Sequence, residues 1–132
     1  SISTSDYTIF VKNYDLSTLF ANKIHAFLTR DFFKGKDQEL SFKGRDVFDI
    51  IWFIQRSKKV EFELKPNWEL LQKEIPEKSA EDIVNEVIGK AQKIDVSKVY
   101  QDLAPFIESE RTVKAFSESF ATIIEQEGHK LI

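Results

Sequence analysis

The sequence predicts a mainly α-helical fold, a compact bundle of about six helices with one or two short extended segments, forming a single domain over residues 1–132. Apolar residues recur at helical spacing, as in Ile83, Val84, Val87, Ile88 and Ala91. Residues that cap helices, Ser79, Asp95 and Ser109, stand in front of such runs. Hydrophobic residues make up 42% of the 132 positions and include twelve Phe, enough for one real core. The chain has neither an internal repeat nor a low-complexity linker.

The elements follow in order. Tyr7 to Lys12 alternates and reads as a short strand, left without partners or packed as an extended arm. A first helix is expected to start near Asp15 or Ser17 and to end around Arg30, with Leu19, Phe20, Ile24, Phe27 and Leu28 as its apolar stripe. Asp31 to Ser41 reads as a polar loop; its Lys34, Gly35 and Lys36 lack the glycine spacing of a phosphate cradle. From Arg45 to Arg56, Val47, Phe48, Ile50, Ile51, Trp52, Phe53 and Ile54 cover most of a helix circumference, which predicts a largely buried helix. Val60 to Leu64 alternates again and predicts an extended piece. Pro66 permits a helix start, Trp68, Leu71 and Ile75 share a face, and Pro76 ends it. Ser79 with Asp82 approximates a capping box for the next helix. Asp95 caps a helix with Val96, Val99, Tyr100 and Leu103 inward, and Pro105 closes it. Ser109 opens the last helix, whose Val113, Phe116, Phe120, Ile123 and Ile124 face the core and which Gly128 is placed to terminate.

Charges on two of these helices break the pattern. Lys23 falls inside the apolar stripe of the first helix, with Arg30 near the same line. Arg45, Asp49 and Arg56 form a narrow polar seam on the next, with Asp46 at its edge; Arg45 and Asp49 are an i,i+4 pair. A buried charge costs several kcal/mol unless it is paired or hydrogen-bonded, so isolated burial is excluded. Two readings remain. Lys23 and Arg30 face Asp46 and Asp49 in an internal ion-pair network, or the seam is one wall of an active site. In the second, Lys23 neutralises a phosphate and a carboxylate takes a proton from a nucleophile.

Other chemistries find less support. The net charge of −3, from 19 basic and 22 acidic residues, gives no broad electrostatic footprint for nucleic acid, so any such contact is local. The absence of Cys excludes disulfides, thiolate metal sites and Cys nucleophiles, and fits a reducing cytoplasm. The apolar run Ile50 to Ile54 is far below the ~20 residues that span a bilayer, so no membrane association is expected. Glu125 and His129 have metal-ligand spacing, but Gly128 between them and the shortage of further His point to a frayed terminus. His25 lies opposite the apolar stripe, at the edge of any cleft that Lys23 lines. Gly-x-Ser-x-Gly is absent.

Leu19-Phe20-Ala21-Asn22-Lys23-Ile24-His25-Ala26-Phe27-Leu28-x-Arg30, followed by Lys43-Gly44-Arg45-Asp46-Val47-Phe48-Asp49-Ile50-Ile51-Trp52, resembles the second half of the AbiEii-type nucleotidyltransferase toxins of abortive-infection and type IV toxin–antitoxin systems. The resemblance covers Leu16 to Ile54 and extends more weakly through Asp102-Leu103-x-Pro105-Phe106. It implies that Lys23 contacts a nucleoside triphosphate, that Asp46 is a base or charge partner, and that Arg45 and Asp49 fix its orientation. In such proteins a sheet half carries a Gly-Ser pair for phosphate and an Asp-x-Asp pair for Mg²⁺. Neither motif stands here, and position 1 is not Met. The expectation is a C-terminal fragment that is inactive alone and binds no cofactor of its own. Its intact parent would use Mg²⁺ and NTP, with RNA as a plausible acceptor and an antitoxin as a possible partner. The alternative is a helical protein-interaction module in which the seam is a structural ion-pair network.

Overall fold

The computed structural model describes the backbone of residues 4–29, 33–34, 39–40, 44–57 and 64–132, and the side chains of 16–29, 45–56 and 64–132. Among these residues the chain forms six α-helices: α1 (Thr4–Thr29), α2 (Gly44–Ser57), α3 (Trp68–Glu74), α4 (Ala80–Lys93), α5 (Val96–Leu103) and α6 (Glu110–Glu127). Short 3-10 turns follow α5 at Ala104–Phe106 and α6 at Gly128–Leu131. The fold is the mainly helical bundle expected of the sequence.

The first helix departs from expectation. Tyr7 to Lys12 is not a strand but part of α1, which begins at Thr4 rather than near Asp15 or Ser17. Five or six alternating residues discriminate poorly between strand and helix, and a lone strand leaves its N–H and C=O groups unpaired. Extending an existing helix satisfies those groups within the segment, without a new nucleus. Within Asp31 to Ser41 the chain forms β1 (Phe33–Lys34) and β2 (Glu39–Leu40), antiparallel, with Phe33 opposite Leu40 and Lys34 opposite Glu39. Gly35, Lys36 and the candidate partner Arg30 lie outside the described residues, as does most of the expected extended piece at Val60 to Leu64. Leu64 itself is buried and belongs to no regular element.

α2 packs against α1 on one side and against α5 and α6 on the other. Its pairing with α1 is antiparallel: Lys23 meets Asp49 and, about a turn back on α1 and a turn on along α2, Phe20 stacks on Phe53. The two rings lie 4.9 Å apart and 10° from parallel. Phe20, Phe27, Ile50, Ile54, Phe120 and Ile124 are among the fully buried side chains at the centre of the bundle.

The later helices start where their caps stand. Ser79 and Asp82 form a reciprocal capping box, the Asp95 side chain accepts from the Ser97 N–H, and the Ser109 hydroxyl accepts from the Thr112 N–H. For α3 the cap is Asn67, whose Oδ1 accepts from the Leu70 N–H at 3.1 Å. Asn67 also ties α3 to α1, since its backbone N–H donates to the Ser17 carbonyl at 3.0 Å. Trp68 Nε1 donates to the Leu131 carbonyl at 2.8 Å and holds the C-terminal turn against α3. Val96 is exposed rather than inward, because Val99 and Leu103 already define the buried line of α5.

The α-helix α6 does end at Gly128, its C-cap, but without the left-handed turn that glycine favours. Its φ of −56° and ψ of −48° are ordinary right-handed values, and the chain continues into the 3-10 turn. What the position requires is a missing side chain. A Cβ there would come within 3.2 Å of Val84 Cγ1 and 3.3 Å of Ile88 Cδ1 on α4. Gly128→Val should therefore destabilise the fold by about 1–3 kcal/mol through overpacking, read from urea denaturation.

A second expectation concerns acid. Hydrogen bonds from the Ser97 hydroxyl and then its backbone N–H hold the Asp95 carboxyl below the ordinary aspartate range. A depressed folded value means the contribution is present above the ordinary aspartate pKa of about 3.9 and is lost as pH falls through the folded value. Asp95→Asn, which keeps an oxygen at the cap, should flatten that acid limb of the stability profile; an unchanged limb would exclude Asp95 as its source.

Candidate functional site

Lys23 stands at the edge of the buried stripe of α1, not within it. Phe20, Ala21, Ile24 and Phe27 are buried, and Leu19 and Lys23, one turn apart, flank them. Leu19 is 48% exposed, so the stripe is rotated away from the expected one. On α2 the buried line is Asp46, Val47, Ile50, Ile51, Phe53 and Ile54, while Arg45, Phe48, Trp52, Gln55 and Arg56 are exposed. The expectation of a largely buried α2 is thus corrected: one side of the helix is buried and the other exposed. Phe48 and Trp52 are 37% and 43% exposed. With α1 on one side and α5 and α6 on the other, these two side chains keep part of their surface in solvent.

These outward rings still have partners. Phe48 packs on Phe116 with centroids 5.3 Å apart, Trp52 meets Phe53 edge-on at 5.0 Å, and the Arg56 guanidinium lies 5.7 Å from the Trp52 ring centre. The face is mixed in chemistry: along one side of α2 the rings of Phe48 and Trp52 stand between the cations Arg45 and Arg56.

The four candidate residues divide between inside and outside. Lys23 Nζ lies 2.8 Å from Asp49 Oδ2, and the two side chains are 39% and 34% exposed, so the pair is open to a solute. Asp46, one turn before Asp49, is buried in the first turn of α2, where the helix dipole favours a carboxylate. Arg45 is exposed and carries its guanidinium 5.9 Å from the centre of the Phe106 ring. The antiparallel packing thus joins Lys23 to Asp49, while Arg45 reaches across to the turn after α5.

His25 does not join this set. Its Nδ1 lies 3.3 Å from Glu74 Oε2 and links α1 to the last turn of α3. Glu125 accepts from Gln92 Nε2 at 3.5 Å, whereas His129 is exposed in the C-terminal turn. Among the described residues, no three His, Asp or Glu side chains gather into a metal-binding group, and no helix is long and apolar enough to cross a membrane.

Two further features escaped the sequence: the meeting of Phe106, named there only within the resemblance, with Arg45, and the burial of Lys90. Phe106 stands far along the chain from Arg45, and nothing in local spacing pairs them. Lys90 is buried; its ammonium donates to the Phe27 carbonyl near the C-terminus of α1 and lies 5.0 Å from the Phe27 ring centre. A signal for Lys90 did exist: it follows Val87 by three residues and shares its buried line.

Comparison with protein-family models, curated proteins and solved structures finds no match to this chain.

Because Lys23 and Asp49 are both over a third exposed or close to it, their coupling should be small. A Lys23→Ala/Asp49→Ala double-mutant cycle should return about 0.2–1 kcal/mol, shrinking as salt is raised. Lys90→Ala should cost more, about 1–3 kcal/mol, by stranding the Phe27 carbonyl at the end of α1.

Proposed function

We propose that this chain is the C-terminal helical domain of an AbiEii-like nucleotidyltransferase, whose intact form transfers a nucleotide from an NTP to an acceptor, plausibly RNA. The observation that supports this reading best is the solvent-accessible Lys23–Asp49 pair, one turn from the buried Asp46. An ammonium held 2.8 Å from a carboxylate at an open surface can exchange that partner for a phosphate oxygen without crossing an apolar barrier.

In this reading Lys23 contacts the triphosphate and neutralises charge as the phosphoryl bond breaks. Asp49 presents Lys23, and Arg45 adds a second cation one turn away. Burial of Asp46 favours the role of charge partner over that of base, because a base must meet the nucleophile's proton directly. The carboxylates here do not suit magnesium: Asp49 is engaged by Lys23 and Asp46 is buried, so no step through the metal is derived from this chain. Mg²⁺ would be held by the sheet half of the intact protein, and this chain alone would be inactive. A cytoplasmic location and an antitoxin partner belong to the same proposal.

A second reading, a helical protein-interaction module, draws on the partly exposed Phe48 and Trp52 beside the ion pair.

The two readings separate in one assay. Full-length gene product, labelled NTPs, Mg²⁺ and total RNA should give label transfer, and Lys23→Ala and Asp46→Asn should each lower it about 100-fold or more while circular dichroism stays native. Absence of transfer by the wild-type protein, with both variants merely less stable, would favour the interaction module.

A further inference from the structure

We propose that the groove around Phe106, whose ring the Arg45 guanidinium overlies, is a nucleobase site; this rests on the nucleotide-transfer reading above. The groove measures about 500 Å³ and is lined by Tyr100, Pro105, Phe106, Ile107, Glu108 and Glu110, among others. That volume lies within the usual range for small-molecule sites.

Phe106 is 71% exposed, the largest exposure among the described large hydrophobic side chains that face solvent. The Arg45 guanidinium lies over its ring, and so high an exposure leaves ring surface free. An aromatic surface of this kind is a platform for a flat base, which stacks without regard to sequence. A guanidinium above such a ring adds cation–π stabilisation to the same site.

Charges of both signs stand in or near this groove. Lys23 and Arg45 carry positive charge on α1 and the first turn of α2. Glu108 and Glu110 line the groove with Phe106. Carboxylates there repel phosphate, but they accept hydrogen bonds from base amino groups and ribose hydroxyls. A nucleoside triphosphate is anionic at one end and flat with hydrogen-bond donors at the other.

Isothermal titration of the full-length gene product, with Mg²⁺ present, with each of the four NTPs and with inorganic tripolyphosphate tests the assignment. Phe106→Ala should weaken NTP binding about 10-fold or more, Phe106→Trp should restore it, and neither should change tripolyphosphate binding. Lys23→Ala should weaken both ligands. Phe106 is largely exposed, so its replacement leaves the core intact, with native thermal unfolding as the check. NTP affinity unaffected by Phe106→Ala but lowered by Lys23→Ala would overturn the base site and leave nucleotide transfer standing. Binding of neither NTP nor tripolyphosphate would overturn both.

Discussion

The antiparallel packing of α2 on α1 is the constraint on which the rest of the structure depends. Val47, Ile50 and Ile54 of α2 are buried, and the Phe20–Phe53 stack sets how far α1 and α2 slide along one another. A stacked aromatic pair contributes about 0.5–1.5 kcal/mol beyond its burial, so its stronger role is geometric. Slippage by one turn, about 5.4 Å, would remove the stack and part Lys23 from Asp49 together. The register that completes the core is therefore the register that assembles the candidate site.

The two buried charges named here share a physical pattern. Asp46 lies in the first turn of α2, and Lys90 donates to a carbonyl near the end of α1. Each places its charge where a helix terminus presents the opposite partial charge, which offsets part of the cost of leaving water. Lys23 and Asp49 differ, since both retain solvent and gain only a modest attraction. This division separates charges that hold helix ends from charges that remain available to a ligand.

Legibility in the sequence followed the range of the interaction. The starts of α4, α5 and α6 were readable because Ser79, Asp95 and Ser109 act on N–H groups two or three residues away. The start of α1 was not, because a short alternation at Tyr7 to Lys12 fits two periods until its partners are known. Lys23, Arg45, Asp46 and Asp49 could be singled out as charges among apolar residues. Their division into an open pair, a buried carboxylate and a ring-capping guanidinium could not. Gly128 shows the same limit: that α6 ends there was readable from its position, whereas the close approach of Val84 and Ile88 of α4 was not.

By itself the sequence determined a mainly helical fold with most of its helices, their caps and the residues at which charge interrupts the apolar pattern. Those follow from periodicity and from contacts within a turn or two of the backbone. Tertiary structure decided which side of α2 faces outward, that Asp49 meets Lys23, that Lys90 closes α1, and that Arg45 lies over Phe106. Each of these joins side chains on different helices. Local spacing limits which residues are available for such contacts, but the packing of whole helices selects among them.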